Sequence, residues 1–306
     1  MPHDFCCKKY WDEHCRSLQE AIDEAEEYTV LKIDLGTFCS QHFVTEDAFD
    51  LPIVVIKNKK HLKLVKNRDT LRGKLKVYGS SAIHIEDSED ILIEQLDIEG
   101  NARTISGEEA AAERDRVTGK HGCNDLERDE CHDDHCVWND NLNMCIGHHH
   151  SYFTGHGIVI KNSHNIVITR NSIKHMPGAG IFASGNSKLV IADNNVFGNG
   201  WWSYEGMSGI VVQELQGEDT SVIFKNLVVG NKNFIPVFDP DQKDPENALF
   251  PGYGKADFSR IVQGHGIHVR NSASFGGILE IDQNFIFENG VHGIYLQGLT
   301  SPELKV

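Results

Sequence analysis

Residues 155–200 read GHGIVIKNSHNIVITRNSIKHMPGAGIFASGNSKLVIADNNVFGNG, and this stretch decides the fold. It says one thing twice: Gly-Ile-x-apolar, a polar turn, an alternating apolar run, Asn, an apolar pair, a Gly/Asn turn. Self-similarity at a period of roughly 20–50 residues marks a repeat architecture. Working outward, the Gly-Ile element recurs at Gly157-Ile158, Gly180-Ile181, Gly209-Ile210, Gly266-Ile267 and Gly293-Ile294. The Asn element recurs at Asn171, Asn195, Asn226 and Asn284. From each isoleucine to its Asn is 13 to 17 residues, whereas the stretch from Asn to the next isoleucine varies from 10 to 41. One half of the unit is nearly fixed and the other takes the insertions. Each unit holds short β-branched alternating runs (GIVI, NIVITR, KLVIAD, SVIFKN, GILEID), which read as strands. Helical spacing is absent here, and a coil of three short strands stacked on its neighbours satisfies the pattern.

The five Gly-Ile elements and four Asn resemble the right-handed parallel β-helix family, the pectate-lyase-like fold, over roughly residues 18–300. The resemblance implies an all-β, single-stranded solenoid. It also implies that each Asn sits in the tight turn between the second and third strands, its amide stacked in a ladder. Asn tolerates the left-handed backbone that such a turn needs. First strands near residues 30, 53, 82, 157, 180, 209, 266 and 293 give about eight coils. Residues 16–27 carry Leu18, Ala21, Ile22 and Ala25 at helical spacing. The expected organisation is therefore an N-terminal segment with a short capping helix (1–29) and one β-helix body (30–306), the helix covering an end of the core. The last coil, GIYLQGLTSPELKV, shows no C-terminal cap, which reads as a truncated chain.

The 306 residues hold no apolar run of membrane-spanning length, so no membrane insertion is expected. A net charge of −16 argues against nucleic acid and anionic membranes as partners. The opening MPHDFCCKKYWDEHC has no apolar core, so no signal peptide is visible. All eight cysteines precede residue 146, and four of them, Cys123, Cys131, Cys136 and Cys145, fall in an insertion at about 101–155. They read as disulfides, which suggests an extracellular or secretory setting. Zinc is the rival reading, because Cys131-His132 and His135-Cys136 stand near His148, His149 and His150. Free thiols are the third. A second insertion, at about 230–264, carries Asp239, Asp241 and Asp244. Its oxygen-rich loop offers a weak Ca2+ site, though without the EF-hand pattern a solvated acidic loop is the plainer reading.

Strand alternation sends the Ile and the last apolar residue of each Gly-Ile-x-apolar element inward, and the x residue and the one after the element outward. The outward face then reads His84/Glu86, Val159/Lys161, Phe182/Ser184, Val211/Gln213, His268/Arg270 and Tyr295/Gln297. The two long insertions and the shorter GNGWWSYEGMS all enter this face from one side, which predicts a walled groove. An extended polysaccharide suits it, with Trp201, Trp202 and Tyr204 stacking on sugar rings. A monomer is expected. For β-helix lyases and uronate epimerases, the family implies a base that takes the proton α to a carboxylate and a cation that stabilises the enolate. His268, Arg270 and Tyr295 fall on two adjacent coils and suit these roles: Arg270 for the carboxylate, His268 or Tyr295 as base or acid. Lys161, Gln213 and Gln297 suit substrate binding. The plainer reading of His156, His265 and His292 is that they satisfy backbone groups, since they repeat with the coil.

Two other functions stay open. A non-catalytic carbohydrate-binding or cell-surface β-helix would use the repeats only to present loops. A hydrolase is hinted at by Gly155-His156-Gly157 and Gly264-His265-Gly266, which resemble the Gly-His-Gly of β-helix polygalacturonases. That family's Asn-Thr-Asp, paired Asp and Arg-Ile-Lys are missing from this face, as is the Asp-Pro-His-Asp of alginate epimerases.

Overall fold

The computed structural model describes residues 18–33, 52, 54–66, 75–77, 81–100, 136–139, 144–147, 155–200, 208–232, 264–270, 272, 275–299 and 303–305. One coil shows the plan. Ile158–Lys161 lies in a first sheet (sheet I), His164–Thr169 in a second (sheet II) and Ser172–Lys174 in a third (sheet III). The next coil repeats the path one rung along, so that Ile158 pairs with Ile181, Ile166 with Leu189 and Ile173 with Val196, all in parallel. Among the described residues sheets I, II and III contain seven, eight and six strands, and Cys136–Asn139 and Met144–Gly147 form a separate antiparallel pair. The architecture is a right-handed parallel β-helix.

The chain turns corners by placing single residues in the left-handed region. In the coil at 158–175 these are Asn162 (φ 47°), Arg170 (φ 57°) and His175 (φ 57°). Each costs backbone strain in a non-glycine residue, offset by what the turn brings together. Between sheets II and III the side chains of Asn171, Asn194, Asn226 and Asn284 stack as a ladder, the first three buried and the last partly so. Asn194 Nδ2 donates to Ile168 O at 2.8 Å and to Asn226 Oδ1 at 3.0 Å. Its Oδ1 accepts from both the backbone N–H and Nδ2 of Asn171, at 2.9 and 3.0 Å. The ladder member is thus Asn194, not the expected Asn195, which opens the strand Asn195–Phe197 and is exposed. Position relative to the left-handed residue decides this: Asp193 precedes Asn194 just as Arg170 precedes Asn171.

Two further ladders lie at the other corners. Asn199, Asn231 and Asn289 link coils after sheet III, and Ser88, Ser163 and Asn186 do so between sheets I and II. The sequence carries a signal for the former, since an Asn stands five residues after Asn194, Asn226 and Asn284 alike. A second correction concerns the first coil. Val30–Ile33 pairs with Lys63–Lys66 in sheet II, so among the described residues sheet I begins at Val54–Lys57 and has seven rungs. The count of eight holds for sheet II alone, because a four-residue alternating strand bears no mark of the face it will join.

The interior is filled by stacked β-branched side chains: Ile83, Ile85, Ile158, Ile160, Ile181, Ile210 and Ile267 are fully buried. The helix Leu18–Asp23 turns Ala21 and Ile22 into this core. Gln19 covers the outermost strand of sheet I, its amide accepting from Val55 N at 2.7 Å and donating to Val55 O at 2.9 Å. That satisfies edge groups otherwise open to pairing.

The glycine of the repeat is required by the next coil. A Cβ at Gly157 would lie 2.4 Å from Gly180 O and 2.3 Å from Ile173 Cγ2, whereas at Gly293 the nearest atom is 3.6 Å away. Gly157→Ala should therefore cost about 2 kcal/mol through overpacking, and Gly293→Ala almost nothing. Chemical denaturation of the pair checks this, and equal stabilities would overturn it.

Candidate functional site

Sheet I presents two outward columns. One runs Val55, His84, Val159, Phe182, Val211, His268, Tyr295, and the other Lys57, Glu86, Lys161, Ser184, Gln213, Arg270, Gln297, each residue in register with its neighbour. The inward/outward assignment from sequence therefore holds rung by rung. The character of the face differs from expectation. Its first column is largely shielded from solvent: Val159 is 4%, Phe182 8%, Val211 1% and His268 7% exposed. Val159, Ala179, Phe182 and Val211 make a small apolar cluster outside the solenoid core. The face so has an apolar middle flanked by polar rungs rather than a polar lining throughout.

At one end, four rings from two rungs gather. His265 stacks on His292 (5.2 Å between centroids) and on Tyr295 (4.6 Å), while His268 lies 5.1 Å from His265 and 5.0 Å from Tyr295. His268 and Tyr295 meet because their strands are register partners. His265 and His292 join them because each precedes the Gly-Ile element of its rung. Arg270 belongs to the same rung as His268, and its Nε donates to Gln213 Oε1 at 2.7 Å. Gln213 in turn donates to Ser184 Oγ at 3.2 Å, and Ser184 Oγ donates to Glu214 at 2.7 Å. A hydrogen-bonded row thus leads up to the guanidinium.

Burial pushes His268 below the ordinary imidazole value, the neighbouring Arg270 charge adds to this, and a hydrogen bond with Gln297 works against it. Burial, then the charges of His268 and His292, lower His265 to about 4. These rings are neutral at neutral pH and so able to accept a proton. His265 Nδ1 and His268 Nε2 are buried and have no hydrogen-bond partner among the described residues. His156 is different: its Nδ1 accepts the backbone N–H of Ala179 at 2.8 Å while the ring stacks on Phe182. The backbone-satisfying role expected of the repeated histidines fits His156, where burial lowers the value to about 3.

Nearer the other end, on the third rung, Lys161 is exposed, and its register partner Glu86 is bound by Lys57 at 3.1 Å. Lys161 stands three rungs from Arg270. Trp201, Trp202 and Tyr204, the acidic-loop residues Asp239, Asp241 and Asp244, and the cysteines Cys123 and Cys131 lie outside the described residues. Of Cys136 and Cys145 only the strands that contain them are described. Among the described residues no group of three or more His, Cys, Asp or Glu is arranged to hold a metal ion.

The histidine shifts make stability depend on pH. Unfolded, these rings titrate near 6.5; folded, His265 does so near 4 and His156 near 3. Between those values the unfolded chain binds more protons, so stability fully present above the unfolded value is lost as pH falls through the folded ones. Guanidinium midpoints should drop from neutral pH to about pH 4.5, and His265→Gln should drop less. An equal drop would assign the effect to other groups.

Residues 64–241 match the family described as "Right handed beta helix region". No curated protein and no solved structure matches the chain.

Proposed function

The chain belongs to the right-handed β-helix family, and from that premise we propose that it acts on an extended, uronate-containing polysaccharide by β-elimination on the outer face of sheet I. One observation carries this reading: a neutral, buried imidazole (His268), a phenol (Tyr295) and a guanidinium (Arg270) converge on two stacked rungs. His268 takes the proton on the carbon α to the uronate carboxylate. Arg270 faces that carboxylate and stabilises the enolate charge as it develops. The glycosidic C–O bond on the β carbon then breaks, its electron pair leaving with the oxygen, which takes a proton from Tyr295. A carbon–carbon double bond remains at the new chain end. Gln213 and Gln297 hold Arg270 and His268 and offer amides to the sugar hydroxyls. An extracellular setting suits such a substrate and agrees with the disulfide reading of the cysteines.

Hydrolysis is less well supported, since it needs two facing carboxylates. Glu86 and Glu214 are three rungs apart, the first held by Lys57 and the second by Ser184. A non-catalytic carbohydrate-binding role has one observation in its favour, the shielding of His268 and of the apolar column beside it. The deciding experiment incubates the protein with pectate, alginate and glycosaminoglycans, with calcium and with chelator, and follows the ultraviolet absorbance of unsaturated chain ends. Absorbance growing on one polymer establishes the lyase. Silence on all of them, from folded protein, sinks it in favour of binding.

A further inference from the structure

On sheet II, away from the sheet I face, three polar side chains stand in one outward column. Glu89, His164 and Ser187 open the strands Glu89–Glu94, His164–Thr169 and Ser187–Ala192 and are in register on successive rungs. His164 Nδ1 and Ser187 Oγ are 2.8 Å apart. Glu89 flanks His164 on the opposite side, held by Lys60 Nζ at 2.8 Å. The serines at the nearby corner are used differently. Ser163 Oγ donates to Lys161 O at 2.7 Å and accepts the backbone N–H of Ser88 at 3.1 Å, so the fold itself occupies that hydroxyl. Ser187 Oγ has an imidazole as its partner instead, and both residues are half-buried. The space beside Ser187 is open, because Gly217 stands there. A Cβ on this glycine would lie 3.4 Å from Ser187 Cβ and meet no other described atom within 4 Å outside its own chain neighbours. Lys188, the next residue, is exposed and makes no ion pair among the described residues.

We propose that Ser187 and His164 form a nucleophile–base pair that hydrolyses carboxylic esters of short acyl groups, a second activity on a different face of the solenoid. It does not depend on the polyuronate reading. A serine hydroxyl is a weak nucleophile until an adjacent base takes its proton, and a base within hydrogen-bond reach, flanked by a third group, is the arrangement that does this. Such pairs are recognised by geometry and role, on unrelated folds. Ser187 Oγ attacks the ester carbonyl carbon as its proton passes to His164 Nδ1. Glu89 steadies the positive charge this leaves on the ring, and the Lys188 ammonium the negative charge on the carbonyl oxygen. The ester C–O bond then breaks, and its electron pair leaves with the alcohol oxygen, which takes the proton from His164. Water, giving its proton to His164, attacks the acyl group on Ser187. The acid departs, and the proton returns to Ser187 Oγ. The acyl group is short because the opening beside the hydroxyl is the width of the side chain that Gly217 lacks.

The test joins turnover of an aryl acetate with labelling by a fluorophosphonate, which bonds an activated serine oxygen with loss of fluoride. Wild-type protein should turn over the acetate repeatedly. The fluorophosphonate should stop it while adding one phosphonyl group to Ser187, located by peptide mass spectrometry. Ser187→Ala should lose the label and slow turnover by roughly 10²–10⁴-fold, and His164→Gln should do the same although the serine is intact. Glu89→Gln should slow turnover about fivefold, the effect of one charge across a solvent-exposed contact, with Glu89→Asp recovering part of it. Guanidinium midpoints of these variants should stay at the wild-type value, since all three groups lie on the outer face. Folded wild-type protein that takes no label on Ser187 overturns the proposal. So does a label on Ser187 that His164→Gln leaves unchanged, because the imidazole would then not be its base.

Discussion

Asn194→Leu should destabilise the protein by about 4 kcal/mol, whereas Asn195→Leu, one residue on, should change stability by no more than about 0.5 kcal/mol. The two side chains have the same chemistry and differ only in where they point. Asn194 is 1% exposed and connects three coils. Leucine in its place leaves the N–H of Asn171 and the carbonyl of Ile168 without the side-chain partners they have now, while Asn226 Oδ1 keeps only the backbone N–H of residue 194. Each buried group so orphaned costs about 1–3 kcal/mol, and the volume is nearly conserved, so little is recovered by repacking. Asn195 is exposed at the start of its strand, and a larger apolar side chain there meets solvent. Denaturant titration of both variants, followed by circular dichroism, checks the prediction. Equal stabilities would mean that the ladder contributes no more than its neighbours.

Arg270→Ala should reduce turnover of the uronate polymer by roughly 10²–10³-fold, the loss expected when a preorganised charge is taken from a developing oxyanion. Arg270→Lys should recover part of this, because charge returns without the planar fork that holds the carboxylate and Gln213 together. The fold should notice little, since Arg270 lies on the outer face and partly in solvent. A guanidinium with a merely structural role would lower stability and turnover together. Turnover is read from unsaturated ends and stability from denaturation of the same samples. Full activity in Arg270→Ala would remove Arg270 from the mechanism.

The repeat was legible because a β-helix writes its geometry into sequence at the positions where coils touch. The Gly-Ile element marks where a side chain would strike the next coil, and the alternation after it gives the inward residues directly. What stayed hidden depends on register between coils rather than on the pattern within one. Asn194 and Asn195 are indistinguishable until the left-handed residue before the turn is located. The strand at Val30–Ile33 fits sheet I or sheet II equally well until its partner at Lys63–Lys66 is known. The candidate site was half legible. Alternation placed His268, Arg270 and Tyr295 on one face, and rung pairing set them side by side. It did not reveal that the middle of the column is apolar and shielded, since outward-pointing is not the same as exposed.

The unequal spacing of the rungs has a mechanical consequence. Stacked partners are separated by 23 residues from Ser163 to Asn186, by 57 from Leu215 to Ser272 and by 75 from Leu96 to Asn171. Each turn of the solenoid therefore stores a different length of chain behind much the same set of bonds. Drawn apart along its axis, such a spool would release its turns under similar loads but in unequal strides. The order of those strides would identify which turn had let go.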